Sequence, residues 1–206
     1  MDSTLLTRRS SHAHRTPLKV LDEMTLTPGR VHELCGSARH TLAMLVARAT
    51  DGPVFWISAA WATDRLNPEG MCAFAEPGRF TFLTPRQPID LLWCLEEVLR
   101  AGVVPLVVAD LPSLPGLTAV RRLHLAAETG AGEGMGAPLG LILTEGDGGA
   151  PGVESRWHMA PDHGSGRRAW HLSRRRARTL PPAEWEVSRV KGQFALERRA
   201  ESAHIN

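Results

Sequence analysis

From Pro88 to Asp110 an amphipathic helical pattern runs directly into a stretch that is nearly all apolar, Val104 to Ala109. A strand without polar positions has no face to offer water, so it belongs inside a sheet covered on both sides, the setting of parallel strands joined by crossover helices. Proline at the first helical turn and Gly102 just past the last turn bound the helix at Pro88 to Ala101. Similar units repeat along the chain. Val31 to Leu34 is followed by a helix over Arg39 to Ala49. Strands are expected at Val54 to Ile57, Phe80 to Leu83 and Leu139 to Leu143, with a further helix over Thr118 to Thr129. Strand and helix alternate about five times, which predicts an α/β fold with a mostly parallel sheet flanked by helices.

Punctuation fills in the rest. Asn67 followed by Pro68 predicts a short capped helix, and Pro17 to Met24 reads as another opened by proline. Beyond Gly146 to Gly152 the style changes. Arg156 to Met159, Ala169 to Arg178 and Trp185 to Lys191 predict antiparallel strands extending one edge of the sheet. Residues 1–16 are expected to be a flexible arm, 17–192 the domain and 193–206 a tail. Thr129 to Ala137 is Gly/Ala-rich and low in complexity.

With 206 residues and 43% apolar content the chain can build one core. Its net charge of +2 is unevenly placed, since residues 1–150 carry 13 basic and 16 acidic side chains and the remainder 11 and 6. That basic final quarter points to nucleic acid or an acidic partner. Cys35, Cys72 and Cys94 are odd in number and widely spaced, and read as reduced core residues of a cytosolic protein. No apolar run reaches the ~18 residues of a membrane span.

The chemistry-bearing stretch is Gly36-Ser37-Ala38-Arg39-His40-Thr41, which follows the first apolar strand as a phosphate-binding loop would. Such a loop needs Gly-x-x-x-x-Gly-Lys-Ser/Thr, its backbone N–H groups around the phosphates and its lysine on the β/γ oxygens. Here the second glycine is missing, the loop is shorter, and Arg39-His40 stand where Gly-Lys belongs. Each lost charge-assisted hydrogen bond is worth roughly 1.5–3 kcal/mol, so nucleotide affinity should fall about a thousandfold or more. Asp110 ends a buried strand where a nucleotide hydrolase holds its magnesium, or caps the next turn. A water-activating acid is expected after the second strand, but that stretch reads Ser58-Ala59-Ala60-Trp61, with no acid until Asp64. The nine histidines show no metal-ligand spacing, and no nucleophile-base set can be assembled, so catalysis, metal and cofactor are all unexpected.

Partner surfaces are the alternative. Trp93 falls among Asp90, Glu96, Glu97 and Arg100 on the polar face of its helix, a position suited to an interface anchor or to cover by another segment of the chain. Arg167-Arg168 and Arg174, Arg175, Arg176 and Arg178, interleaved with Trp170 and His171, form a basic band that could track phosphates, meet an acidic groove or protect an edge strand. Arg121 and Arg122 on the next helix could join it, with His124 and Glu128 on the same polar stripe, or form a solvated face.

Four segments carry a resemblance. They are Gly29-Arg-Val-His-Glu-Leu-Cys-Gly36, Leu66-Asn-Pro-Glu-Gly-Met71 with Pro77-Gly-Arg79, Leu92-Trp-Cys-Leu-Glu-Glu-Val-Leu-Arg-Ala-Gly102, and Arg121-Arg-Leu-His-Leu-Ala-Ala-Glu128. Together they resemble the RecA-type ATPase core, and more closely the ImuA family of RecA-like proteins, which has SulA-related members. The resemblance implies a RecA-like fold and a cytoplasmic, nucleoid-associated accessory role in error-prone translesion synthesis during the SOS DNA-damage response. Its implied partners are RecA, the ImuB-like inactive polymerase and an error-prone DNA polymerase. By position it makes Gly36 to Thr41 a degenerate phosphate loop and Asp110 a remnant magnesium carboxylate. The other readings are a nucleic-acid-binding module using the arginine band, a weak ATPase in which Arg39 replaces the lysine, and a SulA-like inhibitor of cell division.

Overall fold

The computed structural model describes residues 15–164 and 167–199. The expected flexible arm, 1–16, falls outside them except for Arg15 and Thr16, which carry no regular structure. The chain is α/β, built on a nine-stranded mixed sheet. Five parallel strands form one part: β3 (Val31–Cys35), β4 (Val54–Ile57), β5 (Phe80–Leu83), β6 (Leu106–Asp110) and β7 (Leu139–Thr144). β8 (Ser155–Pro161) joins β3 in parallel and begins the antiparallel part, continued by β9 (Arg168–Ala177), β10 (Ala183–Val190) and β11 (Gln193–Arg198). The order across the sheet is β11-β10-β9-β8-β3-β7-β6-β4-β5.

The helices divide between the faces because the apolar residues of the central strands do. Leu34, Trp56, Val108 and Leu141 face one layer, where α1 (Arg39–Arg48) lies. Val31, Ile57, Val107 and Ile142 face the other, covered by α3 (Pro88–Ala101) and α4 (Leu117–Glu133). The short α2 (Pro68–Met71) is capped as expected, with the Asn67 side chain accepting the Glu69 N–H. β7 and β6 are almost fully buried, as their nearly all-apolar sequences require.

Several expectations are corrected. Pro17 to Met24 is not helical. It contributes β1 (Leu18–Leu21) to an antiparallel pair with β2 (Met24–Leu26). Eight residues are too few to recover the cost of helix nucleation, whereas the hairpin lays Leu18, Val20 and Leu21 against the α1 layer. The Gly/Ala-rich stretch is helical through Glu133, because Gly130 lets α4 approach α3 where a Cβ would stand 2.0 Å from the Leu99 carbonyl oxygen. Residues 193–198, expected as tail, form the edge strand β11, whose Phe194 stacks on Phe74 at 5.4 Å. The three cysteines are free, but only Cys35 is buried and Cys72 is exposed. Burial pushes the Cys35 thiol up to about 12, which keeps it protonated and unreactive. Among the described residues no helix is long and apolar enough to cross a membrane.

Candidate functional site

The Gly36 to Thr41 turn links β3 to α1 at the carboxyl ends of the parallel strands, where open α/β sheets bind their ligands. Gly36 has φ +91°, and a Cβ there would lie 2.3 Å from the Met159 carbonyl oxygen, so only glycine fits. That carbonyl also accepts the Ala38 N–H at 3.0 Å, while the Arg39 N–H donates to the Gly36 carbonyl at 3.2 Å. Two amides that a phosphate would need are thus committed within the protein. Ala38, at the N-cap, offers no capping side chain, and no acidic residue lies in the first turn of α1.

Arg39 and His40 turn toward the end of β6. His40 Nε2 lies 2.7 Å from Asp110 Oδ2, and Arg39 Nε lies 3.5 Å from Asp110 Oδ1. Arg39 also reaches Glu145, just past β7, at 3.5 Å. Asp110 sits where the strand pattern put it, and is held by the Arg39 guanidinium and the His40 ring rather than acting as a simple turn cap. The Ala38 and Arg39 amides are bonded within the protein and Asp110 is held by Arg39 and His40, so the loop offers a magnesium nucleotide fewer groups than an intact phosphate loop would. Among the described residues no group of three or more His, Cys, Asp or Glu could hold a metal ion.

The most heavily bonded polar group nearby is one that sequence reasoning left unassigned. Glu33, fully buried in β3, pairs with Arg156 of β8. It also accepts the Thr144 hydroxyl at 2.7 Å and the N–H groups of Gly149 and Ala150 at 2.9 and 3.1 Å. One carboxylate thereby ties β3, β7, β8 and the glycine-rich loop behind the site. The available signal was an acid inside a short central strand, which must be paired if it is buried. His32, the neighbouring residue of β3, is buried as well. The Trp157 indole N–H donates to Ser155 Oγ, the Ser155 hydroxyl donates to His32 Nδ1 at 2.7 Å, and His32 Nε2–H donates to the Thr27 carbonyl.

The expected partner residues do not form one surface. Trp93 is 58% exposed on α3, so nothing among the described residues covers it fully. Glu96, read as part of the polar face, is buried and takes Arg122 of α4 at 2.8 Å together with Arg100, while Arg100 also bonds Glu97. Arg122 therefore ties α4 to α3, Arg100 is paired within α3, and Arg121 stays exposed. His124 leaves the expected stripe to bond the Gly152 carbonyl, and Glu128 pairs with Arg30.

Strand alternation splits the arginine band. Arg174 is buried between the rings of Trp157 and Trp185, at 5.5 and 5.1 Å, and donates to the Pro181 carbonyl. Trp170 is buried in the core beside it, which removes the expected stacking platform. Arg175 sits at an irregularity in the β8–β9 pairing and meets Asp147 at 3.2 Å. Arg178 meets Glu154 at 3.5 Å, and Arg167 pairs with Glu186. Arg176 remains exposed. Arg174→Ala is accordingly expected to lower stability by about 2 kcal/mol, through a lost cation–π sandwich and lost packing. Arg176→Glu should leave stability within about 0.5 kcal/mol. Urea denaturation of the two variants checks the contrast, and equal effects would contradict it.

Fold and site together define an α/β protein with a glycine-started loop at the carboxyl end of a central parallel strand, two of whose amides are bonded within the protein. No protein-family model and no curated protein matches the chain.

Proposed function

We propose that this chain is a non-catalytic RecA-like accessory protein of the ImuA type, acting in error-prone translesion synthesis after DNA damage. In this reading it works as an adaptor between RecA and the polymerase components, the ImuB-like inactive polymerase among them. The observation that carries it is the closed loop. Ala38 N–H bonds Met159 and His40 bonds Asp110, at the carboxyl ends of the parallel strands of a mixed α/β sheet. A fold can lose its chemistry and keep the surfaces by which it docks, and the half-exposed Trp93 is the kind of aromatic that anchors such contacts.

Two of the competing readings lose support from the same geometry. A weak ATPase would need Arg39 on a phosphate, and its side chain spans Asp110 and Glu145 instead. A nucleic-acid module would need a continuous arginine surface, and Arg174 is inside the core. The test is copurification of the tagged chain from DNA-damaged cells with nuclease treatment, alongside ATP turnover by the purified protein. RecA or the polymerase-like partner recovered after nuclease, with no turnover, is the expected result. Partners recovered only with intact nucleic acid, or turnover lost on Asp110→Asn, would overturn the proposal.

A further inference from the structure

Two clefts open at the carboxyl ends of the parallel strands, of about 170 and 220 Å³, and they share Asp64. Each is smaller than the roughly 300 Å³ at which pockets for drug-sized ligands begin. The first carries three carboxylates, Asp64, Asp110 and Glu145, against the single guanidinium of Arg39. Trp61, 49% exposed, forms part of its wall. The second is lined by Trp56, Leu66 and Phe82, the last 47% exposed on the edge strand β5, together with Asp64, Arg65 and two hydroxyl residues, Ser58 and Thr84. A polyphosphate entering the first cleft would meet a surplus of negative charge, with the Ala38 and Arg39 amides already bonded elsewhere. A cation meets the opposite. Carboxylates on the rim and the face of a half-exposed tryptophan both favour an ammonium or guanidinium group. The second cleft, where Arg65 stands beside the shared Asp64 and the aromatic wall supplies the apolar surface, adjoins the first.

We infer that this groove receives an extended segment of a partner protein, placing a Lys or Arg side chain in the acidic cleft beside Trp61 and an adjacent apolar side chain against Phe82. The carrying observation is charge complementarity within a concave, aromatic-walled site at the sheet's ligand-binding end. It rests on the adaptor reading, to which it adds the chemistry of the partner segment. Asp64 and Glu145 make the cation contact from exposed positions. Asp110, held by Arg39 and His40, keeps the floor rigid.

The test uses the full chain, labelled with ¹⁵N, and the peptide acetyl-Ala-Leu-Arg-Ala-amide. The same peptide with citrulline in place of arginine keeps the shape and removes the charge. The Trp61 indole N–H resonance, assigned with Trp61→Phe, should shift saturably with the arginine peptide. Affinity should be about tenfold weaker with citrulline, and about tenfold weaker for Asp64→Asn combined with Glu145→Gln. Equal affinity for both peptides, or no shift of Trp61 at millimolar peptide, would overturn the inference. If partners still copurify after nuclease in that case, only the groove assignment falls. A shift of Trp61 on adding magnesium ATP that the arginine peptide cannot reverse would overturn the groove and the adaptor reading together.

Discussion

Glu33→Ala should lower the free energy of unfolding by about 3–5 kcal/mol, the usual cost of removing one partner of a buried ion pair. The loss leaves Arg156 without its carboxylate, and the Thr144 hydroxyl and the Gly149 and Ala150 amides without their acceptor. Against a typical total stability of about 5–15 kcal/mol, that is a third or more of the whole for a domain near the lower end. Glu33→Gln keeps the shape and one acceptor oxygen and should cost less. Urea denaturation at neutral pH measures both, and amide exchange at Gly149 and Ala150 reports the loop directly. These amides should exchange faster in Glu33→Ala than in the parent at matched denaturant distance from the midpoint. A loss below about 1 kcal/mol would show that water replaces the carboxylate, and the account of Glu33 as the tie between four segments would be wrong.

Acid should destabilise the protein well above the range where most carboxylates titrate. Burial, with His124 and Arg30 nearby, holds His32 down to about 4 from its ordinary 6.5. The folded state therefore prefers the neutral ring, whose Nδ1 accepts from Ser155 and whose Nε2–H donates to Thr27. Because the folded value is the lower one, this stabilisation is fully present above pH 6.5. It is lost as pH falls from there toward 4, by about 3 kcal/mol in all for one such histidine. Burial pushes His124 and His158 down in the same direction, which steepens the dependence. In His32→Gln the stability at pH 7 should be lower, and the slope between pH 6.5 and 4.5 should be shallower by up to about 1.4 kcal/mol per pH unit. An unchanged slope would remove His32 from the acid response.

Much of the fold was legible because its signals are local. The apolar run ending at Asp110, the Pro88 and Gly102 boundaries and the Asn67-Pro68 cap each follow from a few neighbouring residues, and each stands where the sequence put it. The readings that failed depended on partners distant in the chain. Pro17 to Met24 becomes a hairpin only because an apolar layer lies beneath it. Residues 193–198 become a strand only because β10 offers an edge to pair with. The arginine band looked continuous in one dimension, but a two-residue period turns every second side chain to the opposite face, and Arg174 lands between two tryptophans. Glu33 passed unremarked for the same reason, since its partners lie more than a hundred residues away.

At the candidate site the division is similar. The missing lysine and second glycine are read directly from the residues between Gly36 and Thr41. What occupies their place is decided by a carbonyl from β8, an aspartate from β6 and a glutamate beyond β7, brought together by crossovers. Sequence by itself determined the type of most elements, the alternation that makes the central strands parallel and the absence of an intact phosphate-loop motif, because these rest on backbone preference and periodicity within a few turns of chain. Only the tertiary structure decided which charges are buried and paired, and which stay free to meet a partner. The desolvation and pairing of a charge depend on what lies within a few ångströms of it in space, wherever those groups fall in the chain.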